Sequence, residues 1–236
     1  MWTTIKRWLQ AAADVVLPRV CPVCGKTLDA GETWLCRACL AGLPRTRYEE
    51  VDFNAMEQLF AGKVPIGRAT AYFYYEKDSP YASILHDIKY HSTPSMGYWL
   101  TSRAVSHMAE SRFFDGIDVV TAVPLHRSKL AHRGYNQSEY LARGIADAID
   151  APYVDALKAI RTHATQTHKG ALERWQNIQD NYTLNNDTAS SLAGKHILLV
   201  DDVVTTGSTL TVCAALLNTI PGVTVSLFTL AAARLE

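Results

Sequence analysis

Ile197-Leu198-Leu199-Val200-Asp201-Asp202-Val203-Val204-Thr205-Thr206-Gly207-Ser208-Thr209 is the stretch on which the reading of this chain turns. Four consecutive apolar residues, Ile197 to Val200, fit a strand buried on both faces, as in a parallel sheet. Asp201 and Asp202 then stand at that strand's carboxyl end, and a turn of hydroxyl residues and one glycine follows. Leu210, Cys213, Ala214 and Leu217 repeat at helical spacing, so the turn opens a helix. A helix N-terminus has unpaired backbone N–H groups and a partial positive charge, which suits a phosphate dianion. Gly207 permits the tight turn that aims those amides inward, and Thr205, Thr206, Ser208 and Thr209 add hydroxyl donors. The carboxylates repel phosphate, so they suit what lies beside it: sugar hydroxyls and a divalent cation. A sugar phosphate with vicinal hydroxyls satisfies all these groups at once. The plainer alternative is a buried strand and a capped helix, with the two acids in water.

The thirteen-residue pattern resembles the phosphoribosyl diphosphate (PRPP) binding motif of type I phosphoribosyltransferases. The resemblance implies that Asp201 and Asp202 hold the ribose hydroxyls with Mg²⁺ nearby, and that Thr205 to Thr209 cradle the 5′-phosphate.

The chain has 236 residues, 48% hydrophobic and 19% charged, so a packed core is expected, as one large domain or a domain plus a small module. Its net charge is zero, and any attraction for polyanions must come from local patches. Met1 to Pro18 places Lys6 and Arg7 before apolar residues, but Gln10 and Asp14 interrupt the run, and no stretch reaches the length of a membrane span. Ile5, Trp8, Leu9, Ala12 and Val16 mark one face of an amphipathic helix. A cytoplasmic location is the expectation.

Cys21-Pro-Val-Cys24 and Cys36-Arg-Ala-Cys39 form two C-x-x-C knuckles. Four thiolates at this spacing converge on one tetrahedral Zn²⁺ site and fill it, so the expected role is structural. A pair of disulfides or unrelated free thiols are the alternatives. Cys213 reads as a small core residue. The expected division is 1–47 for the amphipathic helix and zinc module, 48–67 for a linker with a short helix around Met56 to Phe60, and 68–236 for the α/β domain.

Within that domain Ala69 to Tyr75 and Val119 to Val123 read as strands, and Thr224 to Ala231 as a last one. Ala82 to Tyr90 and Met96 to Glu110 read as helices. Lys89-Tyr90-His91 is a solvated helix end or a ligand segment. After Pro124 comes a basic loop, Leu125-His126-Arg127-Ser128-Lys129-Leu130-Ala131-His132-Arg133-Gly134-Tyr135-Asn136-Gln137, without a single acid. Asn136, with Glu139 three residues on, is read as capping the helix that carries Leu141, Ile145 and Ile149. Ligands of open parallel sheets collect beyond the carboxyl ends of strands, so the basic loop and the Asp201 loop should face one crevice. A solvated basic surface is the alternative. Arg161 to Arg174 holds no acid before Glu173, as a mobile segment or a plain surface connection, and Asn185 to Ser191 is a polar turn.

Taken together, the four-cysteine module, Val-Pro-Leu-His-Arg at 123–127, Arg-Gly-Tyr-Asn-Gln at 133–137, Gln166, Glu173-Arg174, Asn177 and the thirteen-residue motif are similar to the competence protein ComF family. Tyr135 departs mildly from the phenylalanine usual there. The resemblance implies a type I phosphoribosyltransferase fold, a parallel sheet flanked by helices, and a link to uptake of single-stranded DNA in natural transformation. It implies a PRPP site of Asp201, Asp202, Val203, Val204, Thr205, Thr206, Gly207, Ser208 and Thr209 with Pro124, Leu125 and His126. Arg127, Lys129 and Arg133 would neutralise diphosphate, with Asp201 and Asp202 completing the catalytic set, and Arg161, Lys169 or Arg174 would close over the ligand. Two functions follow: transfer of phosphoribose to a nitrogen nucleophile, as in nucleotide salvage, or a PRPP-controlled binding protein whose basic surface takes single-stranded DNA.

Overall fold

The computed structural model describes residues 18–90, 93–160 and 181–234. The amphipathic segment ahead of Pro18 and the stretch with Arg161, Lys169 and Arg174 lie outside them, as does His91.

A five-residue helix α1 (Arg37–Ala41) and α2 (Ala55–Phe60) precede strand β1 (Ala69–Tyr75), and helices α3 (Ala82–Tyr90) and α4 (Pro94–His107) follow it. Next come β2 (Val119–Ala122), α5 (Arg127–Arg133), α6 (Gln137–Ile149) and the short strands β3 (Leu157–Ala159) and β4 (Tyr182–Leu184). One turn of helix α7 (Asn186–Ala189), then β5 (His196–Val204), α8 (Ser208–Leu217) and β6 (Thr224–Ala233), complete the order.

Four strands form a parallel sheet in the order β1-β6-β5-β2, while β3 and β4 pair antiparallel. The apolar run read as a doubly buried strand is one. Leu198 and Val200 join the core under α3, α4 and α6, and Ile197 and Leu199 join the core under α2 and α8. All four are fully buried, which removes about 1.5–3 kcal/mol worth of apolar surface per side chain from water. Cys213 is buried in the second core, as expected. Helices α4 and α6 pack closely because Gly144 presents no side chain to the Tyr98 carbonyl. Thr101 Oγ1 and Ser102 Oγ then donate across the seam to the carbonyls of Leu141 (2.9 Å) and Gly144 (3.0 Å).

The cysteine segment docks on this domain. Leu28, Leu35 and Leu43 share the first core with Ile84, Met96 and Leu100. Pro44 to Thr46 runs antiparallel along the outer edge of β1, with the Tyr74 N–H donating to Pro44 O (2.8 Å) and the Thr46 N–H to Tyr72 O (3.2 Å). The 48–67 stretch carries α2, opened by a capping box of Asn54 and Glu57, and it buries Met56 and Phe60 completely.

Three local expectations are corrected. The strand does not end at Val200: β5 continues to Val204, because β6 stays paired to it as far as Ala232. The basic stretch is not a loop but carries helix α5, capped at its start by the His126 ring and at its end by Gly134 in the left-handed region (φ 80°). Asn136 does cap α6 through the Ser138 N–H (3.2 Å), yet Glu139 is turned to Arg143 (2.9 Å), so the capping box is absent.

Candidate functional site

β2 leaves the sheet at Ala122, paired to Val200, while β5 runs on beside β6. The sheet opens there, and the mouth holds the acid pair. A cleft of about 190 Å³ is lined by Lys89, Val123 to His126, Lys129, Arg133, Asn136 to Ser138, Tyr182, Asp201, Asp202 and Thr209. The acidic strand and the basic stretch thus face one crevice.

Both acids are held by partners from the helices. The Gln137 side-chain amide donates to Asp202 Oδ2 at 2.8 Å, and the Lys89 ammonium lies 3.1 Å from the same oxygen. Asp201 Oδ1 accepts from the Ser138 hydroxyl and from the Asp202 N–H, each at 2.8 Å. Burial pushes the Asp201 carboxyl up to about 7; the Asp202 charge adds to the rise, while its hydrogen bonds and Lys89 oppose it. Tyr182 stands beside it, its hydroxyl pushed well above the usual phenol range by burial and by the nearby Cys213 and Asp201.

Beyond the acids, Val203 to Leu210 line a second hollow of about 60 Å³ with Asp201. Gly207 takes φ 73° and caps α8, whose ten residues give a full N-terminal turn to an incoming anion. A Cβ at Gly207 would stand 2.9 Å from Phe60 Cε1, so α2 presses the loop into shape from behind. Thr205 and Thr206 are exposed, and Thr206 Oγ1 and Ser208 Oγ are 3.0 Å apart.

On the opposite wall α5 turns Lys129 and Arg133 into the cleft, four residues apart on one helical face. Arg127 opens the helix, is exposed, and is not among the lining residues. Arg133 Nη1 donates to Gln137 Oε1 (2.8 Å), and its guanidinium lies 5.0 Å from the Tyr90 ring centre. Pro124, Leu125 and His126 form the floor between β2 and α5. Sequence reasoning did not single out Gln137, Ser138 or Tyr182 as site residues. The signal for the first two was position: the first turn of the helix that follows a strand end in a parallel sheet.

Cys21, Cys24, Cys36 and Cys39 have their sulfurs within 4.8 Å of one another, and none is in a disulfide. The Cys21 and Gly25 N–H groups close the first knuckle (both 2.8 Å), and Cys36 caps α1 by accepting from the Cys39 N–H (3.4 Å). Burial opposes ionisation of Cys21, but the N–H groups of Cys36, Cys24 and Val23 outweigh it and bring the thiol down to about 7. Such a cluster could hold one tetrahedral metal ion, with no open coordination position. Among the described residues no helix is long and apolar enough to cross a membrane.

Comparison with known proteins follows the same geography. The phosphoribosyl transferase domain model matches residues 136–234, from the cap of α6 through the acid pair to the end of β6. DNA utilization protein YhgH of Escherichia coli K12 is 27% identical over 202 residues, covering 84% of this chain and 83% of that protein. Competence protein F of Haemophilus influenzae is 31% identical over 102 residues, 43% of this chain and 44% of its own. Adenine phosphoribosyltransferase of Saccharomyces cerevisiae covers 60% of this chain and 71% of its own at 14% identity and a TM-score of 0.38, too distant to add weight. The chain is thus similar to DNA utilization protein YhgH and Competence protein F, its residues 136–234 match a phosphoribosyl transferase domain, its four-stranded parallel sheet is flanked by helices, and four cysteines cluster near its N-terminus.

Proposed function

We propose that the cleft binds PRPP. In this reading Asp201 and Asp202 accept from the ribose hydroxyls, Thr205 to Thr209 and the start of α8 hold the 5′-phosphate, and Lys129 and Arg133 face the diphosphate. The observation that carries it is the division of charge. Acids and cations line one cleft beyond the end of β2, and the helix N-terminus lines a neighbouring hollow that shares Asp201 and Thr209 with it, in the order a phosphorylated sugar diphosphate would need them.

The hard oxygens of the acid pair fit magnesium in kind, although Lys89 and Gln137 already meet Asp202 Oδ2. When bound, magnesium would add positive charge to a leaving diphosphate. The chain's own part is orientation: Gln137 and Ser138 hold the acids for the sugar, while Lys129 and Arg133 offset the diphosphate charge. The four cysteines hold a structural zinc.

The name of DNA utilization protein YhgH supports a role in handling DNA; single-stranded DNA is the partner we propose, and the cytoplasm the place. Arg133 stacked on the exposed Tyr90 is the kind of cationic, aromatic surface that such a strand takes. A second reading, transfer of phosphoribose to a nitrogen acceptor, is favoured by Asp201, whose carboxyl near 7 is matched to proton transfer at neutral pH. Isothermal titration with Mg-PRPP tests the proposal. Saturable binding supports it, and no binding by folded protein overturns it. A pyrophosphate-release screen over nucleobases then separates the two: binding without release favours the DNA-handling role.

A further inference from the structure

We infer that Lys89 is a positioning residue of the ribose site. Its ammonium occupies, on Asp202, the place of a metal ion, so capture of the sugar at the acid pair is independent of magnesium. This rests on the PRPP reading and goes beyond it.

Lys89 lies in the last turn of α3, with its side chain 20% exposed, and reaches an Asp202 side chain only 8% exposed. Two adjacent acids at a mouth shaped for phosphates need a counter-charge, and a buried carboxylate without one is costly. Here the counter-charge is built in, at 3.1 Å, and Gln137 donates to the same oxygen at 2.8 Å. A divalent ion on that oxygen would have to expel the ammonium. The balance of the cleft agrees: Lys89, Lys129 and Arg133 face Asp201 and Asp202, so the walls carry no excess negative charge.

The next residue extends the argument. The Tyr90 ring lies under the Arg133 guanidinium, and Arg133 Nη2 is 3.4 Å from the Tyr90 hydroxyl. One turn of α3 therefore steadies both sides of the cleft, the acid through Lys89 and the diphosphate wall through Tyr90. Gln137 links those sides directly, taking Arg133 on its oxygen and giving its amide to Asp202. Magnesium is then left to the ligand's own diphosphate oxygens.

The test uses ribose 5-phosphate, which lacks the diphosphate, alongside Mg-PRPP and Mn²⁺ alone, with wild type and Lys89→Met in full-length protein. Wild type should bind ribose 5-phosphate with an affinity equal within about twofold in EDTA and in magnesium, and should take up no Mn²⁺ at the acid pair. Lys89→Met should bind the sugar phosphate about tenfold or more weakly in EDTA, recover in part with magnesium, and gain a Mn²⁺ site. A wild type that binds Mg-PRPP but not ribose 5-phosphate in EDTA, or that binds Mn²⁺ at the pair, overturns the inference. So does a Lys89→Met variant with the metal dependence of wild type. Should Lys89→Met fail to fold, the wild-type measurements decide alone. Absence of Mg-PRPP binding by wild type removes the parent reading as well, which keeps the two failures apart.

Discussion

The cysteine cluster and the cleft are built by opposite means. The cluster draws every ligand from the segment between Cys21 and Cys39, and its geometry is set by two local knuckles. The cleft borrows Lys89 from α3, Lys129 and Arg133 from α5, Gln137 and Ser138 from α6, Tyr182 from β4 and its acids from β5. A site made of neighbours in sequence depends on spacing, whereas a site made of distant elements depends on topology. The first should fail as a unit of folding and the second as a unit of binding, and each substitution below presses on that contrast.

Cys36→Ser should have the largest effect. Metal analysis should find about one zinc per wild-type chain and little in the variant. Because Leu28, Leu35 and Leu43 share a core with Ile84 and Met96, several kcal/mol should be lost from a total of about 5–15. A thermal midpoint unchanged by loss of the metal would show that the cluster is not coupled to the domain. Asp202→Asn should do the reverse. Its melting curve should stay close to wild type while Mg-PRPP affinity falls about tenfold or more, and unchanged affinity would defeat the sugar-site assignment.

Gly207→Ala touches both properties. Its positive φ and the approach to Phe60 should cost about 1–2 kcal/mol of stability and weaken phosphate binding together. Asp201→Asn should show itself through pH. The folded chain holds this proton up to about 7, above the ordinary carboxyl value of 3.8, so the stability it contributes is complete below about 4 and lost as pH rises through 7. The amide cannot ionise. Denaturant unfolding should therefore show the variant gaining about 2–3 kcal/mol relative to wild type between pH 5 and 8, nearly all of it below pH 7. A constant difference across that range would mean Asp201 titrates normally. Arg127→Ala should matter least, changing PRPP affinity by less than about twofold because the residue lies outside the cleft lining. A larger loss would mean that the ligand reaches over the start of α5.

The contrast also explains what could be read from the sequence. The knuckles, the doubly buried Ile197–Val200 run, the glycine turn and the α8 periodicity are local patterns, and each named its element. The end of β5 was hidden because Asp201 to Val204 stay in the strand only through pairing with β6, which no local preference reports. Arg127, Lys129 and Arg133 could not be told apart while they were read as a loop. On a helix, residues 129 and 133 share a face, and residue 127 points away from it. His126 as an N-cap is outside the usual set of capping residues, so the helix start carried no familiar signal. Lys89 was readable only as part of a segment that was either a solvated helix end or a ligand contact, and Tyr182 not at all, because both reach the acids through the folding of distant elements.

The Pro44–Thr46 strip along β1 has a consequence for how the protein behaves in a crowded solution. An outermost strand with bare amides and carbonyls is a template for adding another chain. Here the cysteine segment occupies that position itself, through the Tyr74 and Thr46 backbone bonds. If the cluster holds zinc as proposed, stripping the metal would loosen the guard as well as the knuckles, and the freed rim of the sheet would be open to a strand from a second molecule. Chelator-treated protein should therefore assemble into larger particles before it unfolds, in light scattering at rising concentration, while the metal-loaded form keeps its size.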